Sequence, residues 1–451
     1  MSFRPYDEYE DSGVEWLEEV PTRWKLVSLR HCLAAVFNGL TAMQIDPGED
    51  TVPVTRIESI SDGVINPDKL GYISVADARA DRLLKRGDIL FSNINSLNVI
   101  GNSALYLGGL EIYAGMNLLV LRPDQNLNFD WLAWVVKCSL FRQAVEALAK
   151  PAINQASISQ GSLLSIPLVR PSLPEQAWIA AFLDRETAKI DALVDEQQRL
   201  IALLKEKRQA VISHAVTKGL DPNAPMKDSG VEWLGEVPAH WGIGSIKHSI
   251  SLATSGPRGW SDTTVDEGAI FFQSQNIGRA MEIVLDDVKR VNPIDDAESQ
   301  RAQLHDDDVV VCITGARTGA VAHVTCLPEA TYINQHVCLL RPIPTQIRGR
   351  FLAYAMFSFA GVEQLNLSMY GLKQGLGLEQ VRKLVTCVPP LREQAEIVGF
   401  VDETTARFGA LISNAESAIV LLQERRSALI SAAVTGKIDV RNLAAGQSEA
   451  A

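Results

Sequence analysis

The chain has 451 residues, a formal net charge of −12 and a mean hydropathy of +0.05, a length that allows about three domains at ~150 residues each. With 47% hydrophobic and 21% charged residues, it can bury sizeable cores and does not read as disordered. No window approaches ~18 uninterrupted apolar residues and the first ten residues lack a signal-peptide core, so a cytoplasmic location is expected; the acidic balance argues against a polybasic binder working mainly by phosphate neutralisation.

In chain order, the first notable segment is Asp11 to His31, DSGVEWLEEVPTRWKLVSLRH. It returns at Asp228 to His248 as DSGVEWLGEVPAHWGIGSIKH, offset by 217 positions with 13 of 21 residues identical. A second block, Gln176 to Leu220, returns at Gln394 to Ile438 with an offset of 218 and about twenty of 45 positions matching. Such self-similarity marks a tandem duplication covering nearly the whole chain. Trp16, Trp24, Trp233 and Trp241 recur inside the matched blocks, which points to a shared structural role.

Between the blocks lie two stretches, about 32–172 and 249–390, that differ much more. Short β-branched runs such as Thr51–Ile57 and Ala269–Gln273, bounded by Gly, Asn, Asp and Pro, predict strands. Helical patches are expected near Phe129–Ala149 and Arg348–Leu365. Each stretch therefore reads as an α+β domain of ~140 residues.

The Gln176–Val216 segment contains neither Gly nor Pro, which permits one uninterrupted helix. Leu183, Ile190, Gln197, Leu204 and Val211 repeat every seven residues, with Leu193 and Leu200 filling the alternate seam. Val401, Phe408, Ala415, Leu422 and Leu429 keep the same register in the second copy, beside Leu411 and Ala418. This stripe predicts two long helices pairing as an antiparallel coiled coil. Ile201, Ile212, Ile419 and Ile430 are expected outside the mutual seam, where they would meet a partner protein. The prolines and acids at Pro171–Glu175 and Pro389–Glu393 suit helix starts. The expected modules are 11–173, 174–219, 228–391 and 392–438: domain, helix, domain, helix, related by a pseudo-twofold.

The six cysteines lack any Cys-x-x-Cys pair and read as reduced, mostly buried thiols. His323-x-x-Cys326 and His336-x-Cys338 can be drawn as a metal site, but the spacing fits no usual four-ligand pattern, so no metal is expected. There is no phosphate-binding Gly-x-x-x-x-Gly-Lys loop. Pro389-Pro390 lacks the flanking polar and aromatic residues of an adenine methyltransferase motif. No catalytic residue is expected on this chain.

The duplicated Asp-Ser-Gly-Val-Glu-Trp-Leu openings, the helix starts at Glu175 and Glu393, and the helix ends Ala215–Gly219 and Ala433–Lys437 together resemble the specificity (S) subunit of type I restriction–modification enzymes. The resemblance implies two target-recognition domains separated by two long helices, each domain reading one half of a bipartite DNA sequence. It further implies two modification subunits that methylate adenine with S-adenosylmethionine. Restriction subunits, motor–nucleases using ATP and Mg, would complete the complex, and this chain itself would bind no cofactor. The first copy departs from the Pro-Pro-Leu helix start, having Pro171-Ser172-Leu173 instead.

Base-edge reading needs amide, hydroxyl or guanidinium groups on loops. In the first domain the candidates are Asn93, Asn95, Ser96, Asn98, Asn154 and Gln155. In the second they are Gln273, Gln275, Asn276, Arg279, Arg317, Thr318, Lys373 and Gln374, with Trp260 as a stacking candidate. Corresponding loops stay polar while their sequences differ, as two readers of different half-sites require. A helical adaptor without DNA, or a catalytic restriction enzyme, are the competing readings. The polar divergent loops and the missing catalytic motifs speak against them.

Overall fold

A computed structural model describes residues 4–60, 63–96, 99–152, 155–369 and 375–441. The chain divides into two compact units, one formed by Met1–Gln197 with Ser417–Ala451 and the other by Gln198–Glu416. Both boundaries fall inside the two long helices, Leu173–Lys218 and Leu391–Val434. Each unit therefore contains one strand-rich domain, the start of one long helix and the end of the other.

The first unit is built on a four-stranded antiparallel sheet in the order Leu33–Asn38, Leu118–Pro123, Ile89–Ser92, Ser103–Leu105. The second repeats it with Ile250–Ser255, Val337–Pro342, Val309–Cys312 and Val321–His323. Of its central strands, Val309–Cys312 is apolar throughout and Val337–Pro342 is apolar as far as Leu340, because both faces are covered, and successive side chains point to opposite sides. Val309 and Val311 join one core with Phe351 and Leu352, whereas Val310 and Cys312 join another with Phe272 and Ile333. Ile89 and Phe91, against Leu90, divide in the same way in the first unit.

One buried ion pair recurs beside each sheet. Arg122 grips Asp88 through two 2.7 Å hydrogen bonds, and Arg341 grips Asp308 at 2.9 and 2.8 Å. Two short helices cover each sheet: Phe129–Lys137 and Ser139–Leu148, then Gly349–Phe357 and Phe359–Leu367. The expected helical patches are thus each broken once, at Cys138 and Ser358, whose extended backbone turns the chain. Outside this shared frame the domains differ. The second has a three-stranded sheet in which Ala269–Phe272 runs parallel to Thr331–Ile333. The first has a three-stranded sheet of Lys150–Ala152, Gln155–Ser157 and Ile94–Asn95 instead.

The strand before each long helix pairs with a strand of the matched opening block: Pro167–Arg170 with Lys25–Ser28, and Val385–Val388 with Gly242–Ser245. At each helix start a buried glutamine then bolts helix to domain. Gln176 accepts from the Asn128 backbone N–H at 2.9 Å and donates to the Pro171 carbonyl at 2.9 Å. Gln394 does the same with Arg348 at 2.9 Å and Pro389 at 2.8 Å. The Glu-Gln pairs repeated in the two blocks are therefore more than helix caps.

The departure at Ser172 changes one of these junctions. Its N–H and hydroxyl both donate to Glu175, at 3.2 and 2.7 Å. Pro390 has no N–H to give, and Glu393 instead accepts from Trp241 Nε1 at 2.7 Å and pairs with His240 at 2.7 Å. Trp24 and Trp241 are buried, in line with a structural role, while Trp233 is partly exposed.

Within each unit the helix ends pack antiparallel. In the first, Leu183 and Ile190 share a core with Leu429, Ile430 and Ala433, and Arg426 pairs with Asp191 at 2.8 Å. In the second, Ile212, Ala215 and Val216 share a core with Ile397 and Val401.

The alternate seam lies one residue away from the expected position. Leu193, Leu200 and Leu411 are exposed by 45%, 41% and 50%, while Ile412 is only 8% exposed. The inward residues after Leu183 and Ile190 follow four positions later, at Thr187 and Val194, and the half-buried Ile201 continues that row. Ile201 and Ile419 are half-buried rather than fully outward, and Ile212 and Ile430 are buried in the cores. Leu204, Val211, Phe408 and Leu422 are half-buried on the expected stripe.

Candidate DNA interface

In the first domain the structure brings the two predicted polar clusters together. The Ile94–Asn95 strand pairs with Gln155–Ser157, setting Asn95 opposite Ala156 beside Gln155. The Asn93 carbonyl accepts from the Ile158 N–H at 3.0 Å, fixing the root of this ribbon. Asn95 Oδ1 accepts from the Ser96 N–H at 2.7 Å. Ser96 and Gln155 are exposed, and Asn93 and Asn95 half-buried. Asn98 and Asn154 lie outside the described residues.

In the second domain the strand Ala269–Phe272 runs into a tight turn whose geometry is set by Asn276. Its Oδ1 accepts from the Gln273 N–H at 2.8 Å, and its Nδ2 donates to the Val284 carbonyl at 2.9 Å. Asn276 is buried. An amide committed at both ends and hidden from solvent cannot present itself to a base edge, so Asn276 is a scaffold residue and not a reader. Gln275 and Arg279 beside it are exposed, and Gln273 is half-buried.

Arg317 reaches this turn from the loop after Val309–Cys312. Its Nη1 donates to the Gln275 carbonyl at 3.0 Å and also to the Ile277 carbonyl. Arg317 thereby clips the two loops together, and Thr318 closes its own loop by donating from Oγ1 to the Gly315 carbonyl at 2.7 Å. Lys373 and Gln374 lie outside the described residues.

A polar chain that sequence reasoning missed adjoins this loop. Gln335 Nε2 lies 3.2 Å from His336 Nε2, and His336 Nδ1 contacts Thr314 Oγ1. With the amide as donor to Nε2, the proton sits on Nδ1 and is given to Thr314. Ser261 meets Gln335 at 3.4 Å, so three separate loops are joined. The signal was weak, because Gln335-His336 reads as the start of a strand and Ser261 as an ordinary turn. Trp260, a stacking candidate, packs instead near Phe271 and Tyr332, with ring centroids 6.2 and 5.9 Å away.

The drawn metal site does not assemble. His323 pairs with Asp307 at 2.9 Å, and burial pushes the Cys338 thiol up to about 12. Among the described residues no cluster of three or more His, Cys, Asp or Glu could hold a metal. Among the described residues, too, no helix is long and apolar enough to cross a membrane.

Two units of one topology, bolted alike to paired helices but carrying unlike polar loops, can be set against known proteins. The chain is 26% identical over 435 residues to the putative type I restriction enzyme MjaX specificity subunit of Methanocaldococcus jannaschii, covering 94% of this chain and 95% of that protein. It is 24% identical to the type I restriction enzyme EcoKI specificity subunit of Escherichia coli K12, covering 89% and 87%. The chain resembles type I restriction specificity subunits along nearly its whole length. No family model matches it. The likeness extends to the fold. A chain from a structure on complex assembly and conformational transition of the type I R-M system superposes with a TM-score of 0.72 at 15% identity, covering 93% of this chain and 99% of that one. The HsdS subunit from Thermoanaerobacter tengcongensis gives a TM-score of 0.53 at 16% identity, covering 93% and 98%. These two likenesses establish a shared fold.

Proposed function

We propose that the chain is the sequence-reading specificity subunit of a type I restriction–modification complex. Each strand-rich domain, 11–173 and 228–391, reads one half of a bipartite duplex target. The observation that carries this reading is the contrast within the duplication: the scaffold bonds at Gln176 and Gln394 are the same, while the polar loops at Asn95–Gln155 and Gln275–Arg317 are unrelated. A structural repeat alone would not need divergent loops. Two readers of different half-sites would.

The chain contributes no catalytic group in this reading. Two modification subunits bring adenine methylation and S-adenosylmethionine, and restriction subunits bring ATP and Mg, all in the cytoplasm. The surface offered to the modification subunits is the outer apolar face of the helices. Leu193 and Leu421 in one unit, and Leu200, Leu203 and Leu411 in the other, are exposed leucines of the kind such an interface covers.

The deciding experiment maps methylated adenines in source-cell DNA with and without this chain. A single bipartite motif that disappears with the chain is the expected result. Methylation that persists unchanged, or methylation by the purified chain alone, would overturn the reading.

A further inference from the structure

The two copies part company beside the paired tryptophans Trp24 and Trp241. In the first copy Tyr6 meets Trp24 edge-on, with ring centroids 5.5 Å apart, and both are buried. Arg441 lies 4.9 Å from the Tyr6 ring centroid and is itself held by Asp439. Tyr6 and Trp24 share a core with Ile179 from the start of one long helix and Val434 from the end of the other.

In the second copy the repeat places Asn223 where Tyr6 stands, six residues ahead of the matching Ser-Gly. A cavity of about 370 Å³ opens beside that segment, lined among others by Lys218, Asp221, Ala224, Trp241, Glu393 and Ile397. That volume lies within the range of sites for small organic groups. The indole N–H of Trp241 is committed to Glu393, which fixes the ring as a wall. The lining also carries the polar side chains of His240 and Lys218, whereas the Tyr6 hydroxyl is buried without a partner among the described residues.

We infer that the cavity beside Trp241 is a receptor for a tyrosine side chain presented by another polypeptide, which supplies in trans the ring that Tyr6 supplies within the first copy. The argument rests on equivalence. Trp24 and Trp241, equivalent by the repeat, wall both places, and the molecule itself shows which group such a wall accommodates. The polar lining of the second site offers a phenol hydroxyl the hydrogen bonds that Tyr6 lacks. An aromatic body with one polar tip suits a pocket with apolar walls and a few polar groups.

The test uses the full chain labelled with 15N at tryptophan, with the Trp241 indole resonance assigned through Trp241→Phe. Titration with N-acetyl-tyrosinamide is expected to shift that resonance saturably, and N-acetyl-alaninamide to leave it in place. Ala224→Trp, which plugs the cavity from its lining, should abolish the shift. No saturable shift in the parent chain would overturn the inference. So would an equal response to the alanine amide, or a shift that survives in a folded Ala224→Trp protein.

Discussion

Trp134 donates its indole N–H to Asp184 across 2.8 Å, joining a short helix of the first domain to the long helix beside it. In the second copy Tyr354 donates its hydroxyl to Asp402, and Arg350 adds a 2.9 Å bond to the same oxygen. The donor has changed from indole to phenol, yet the acceptor and its place on the helix have not. The duplication has kept the fastening while letting the fastened domain diverge.

The glutamine bolts should be costly to remove. Gln394→Leu keeps the volume but leaves the Arg348 N–H and the Pro389 and Gln346 carbonyls without this partner. At about 1–3 kcal/mol for each unsatisfied buried group, a loss of roughly 3 kcal/mol is expected. Chemical unfolding would measure it, and a change under about 0.5 kcal/mol would show that the bolt is dispensable.

Neighbouring amides in one turn should behave oppositely. Asn276→Ala is expected to lower stability, by about 1–3 kcal/mol, because the Val284 carbonyl and the Gln273 N–H lose their partner. Gln275→Ala should leave the melting temperature alone and weaken reading of one half-site only, by about 1–3 kcal/mol if it makes a bidentate contact. Melting curves together with methylation of half-site variants separate the two effects. Equal loss at both half-sites would rule out the loop assignment.

The arginine clip makes a third case. Arg317→Lys keeps the charge but puts a compact ammonium on a shorter stem in place of the guanidinium whose Nη1 meets both carbonyls. If Arg317 acts by positioning Gln275, the lysine variant should lose half-site discrimination while keeping most nonspecific DNA affinity. A lysine variant that discriminates normally would return Arg317 to a purely electrostatic role.

Outward and inward residues of the helices give a fourth. Leu193→Asp and Leu411→Asp should leave folding intact and reduce co-purification of modification subunits, since both side chains are exposed. Ile201→Asp should instead lower the melting temperature, because it puts a charge at a half-buried position. Reversed outcomes would restore Ile201 as a docking residue.

Acid should loosen the closure of the first unit. The hydrogen bond from Arg441 holds the Asp439 carboxyl below the usual carboxylate range. A depressed folded-state value means that the stabilisation is present above the unfolded value, about 3.9, and is lost as pH falls through the folded one. The stability gap between the parent chain and Asp439→Asn should therefore be full at neutral pH and shrink below about pH 4. A gap independent of pH would exclude the ion pair as its origin.

The duplication, the α+β domains and both long helices were legible because matched blocks and an unbroken Gln176–Val216 run leave strong periodic signals. The seam was misplaced by one residue for a simple reason. Leu193 and Val194, Leu200 and Ile201, and Leu411 and Ile412 are adjacent apolar pairs, and either member continues a seven-residue repeat. Only packing against the facing helix chooses between steps of three and four. The loops were harder still. Asn276 and Gln275 are both amides in one turn, and nothing in their order says which is consumed by the backbone.

The division of the chain has a consequence for its synthesis. The second unit is drawn from one continuous stretch, Gln198–Glu416, whereas the first needs both Met1–Gln197 and the last segment from Ser417 onward. There the Asp439 N–H donates to the Arg4 carbonyl at 2.8 Å, and Leu429, Ile430 and Val440 complete a core begun by Leu17 and Trp24. On the ribosome, where chains emerge N-terminus first, the part made earliest must wait with an unfinished core. The part made later can close before it.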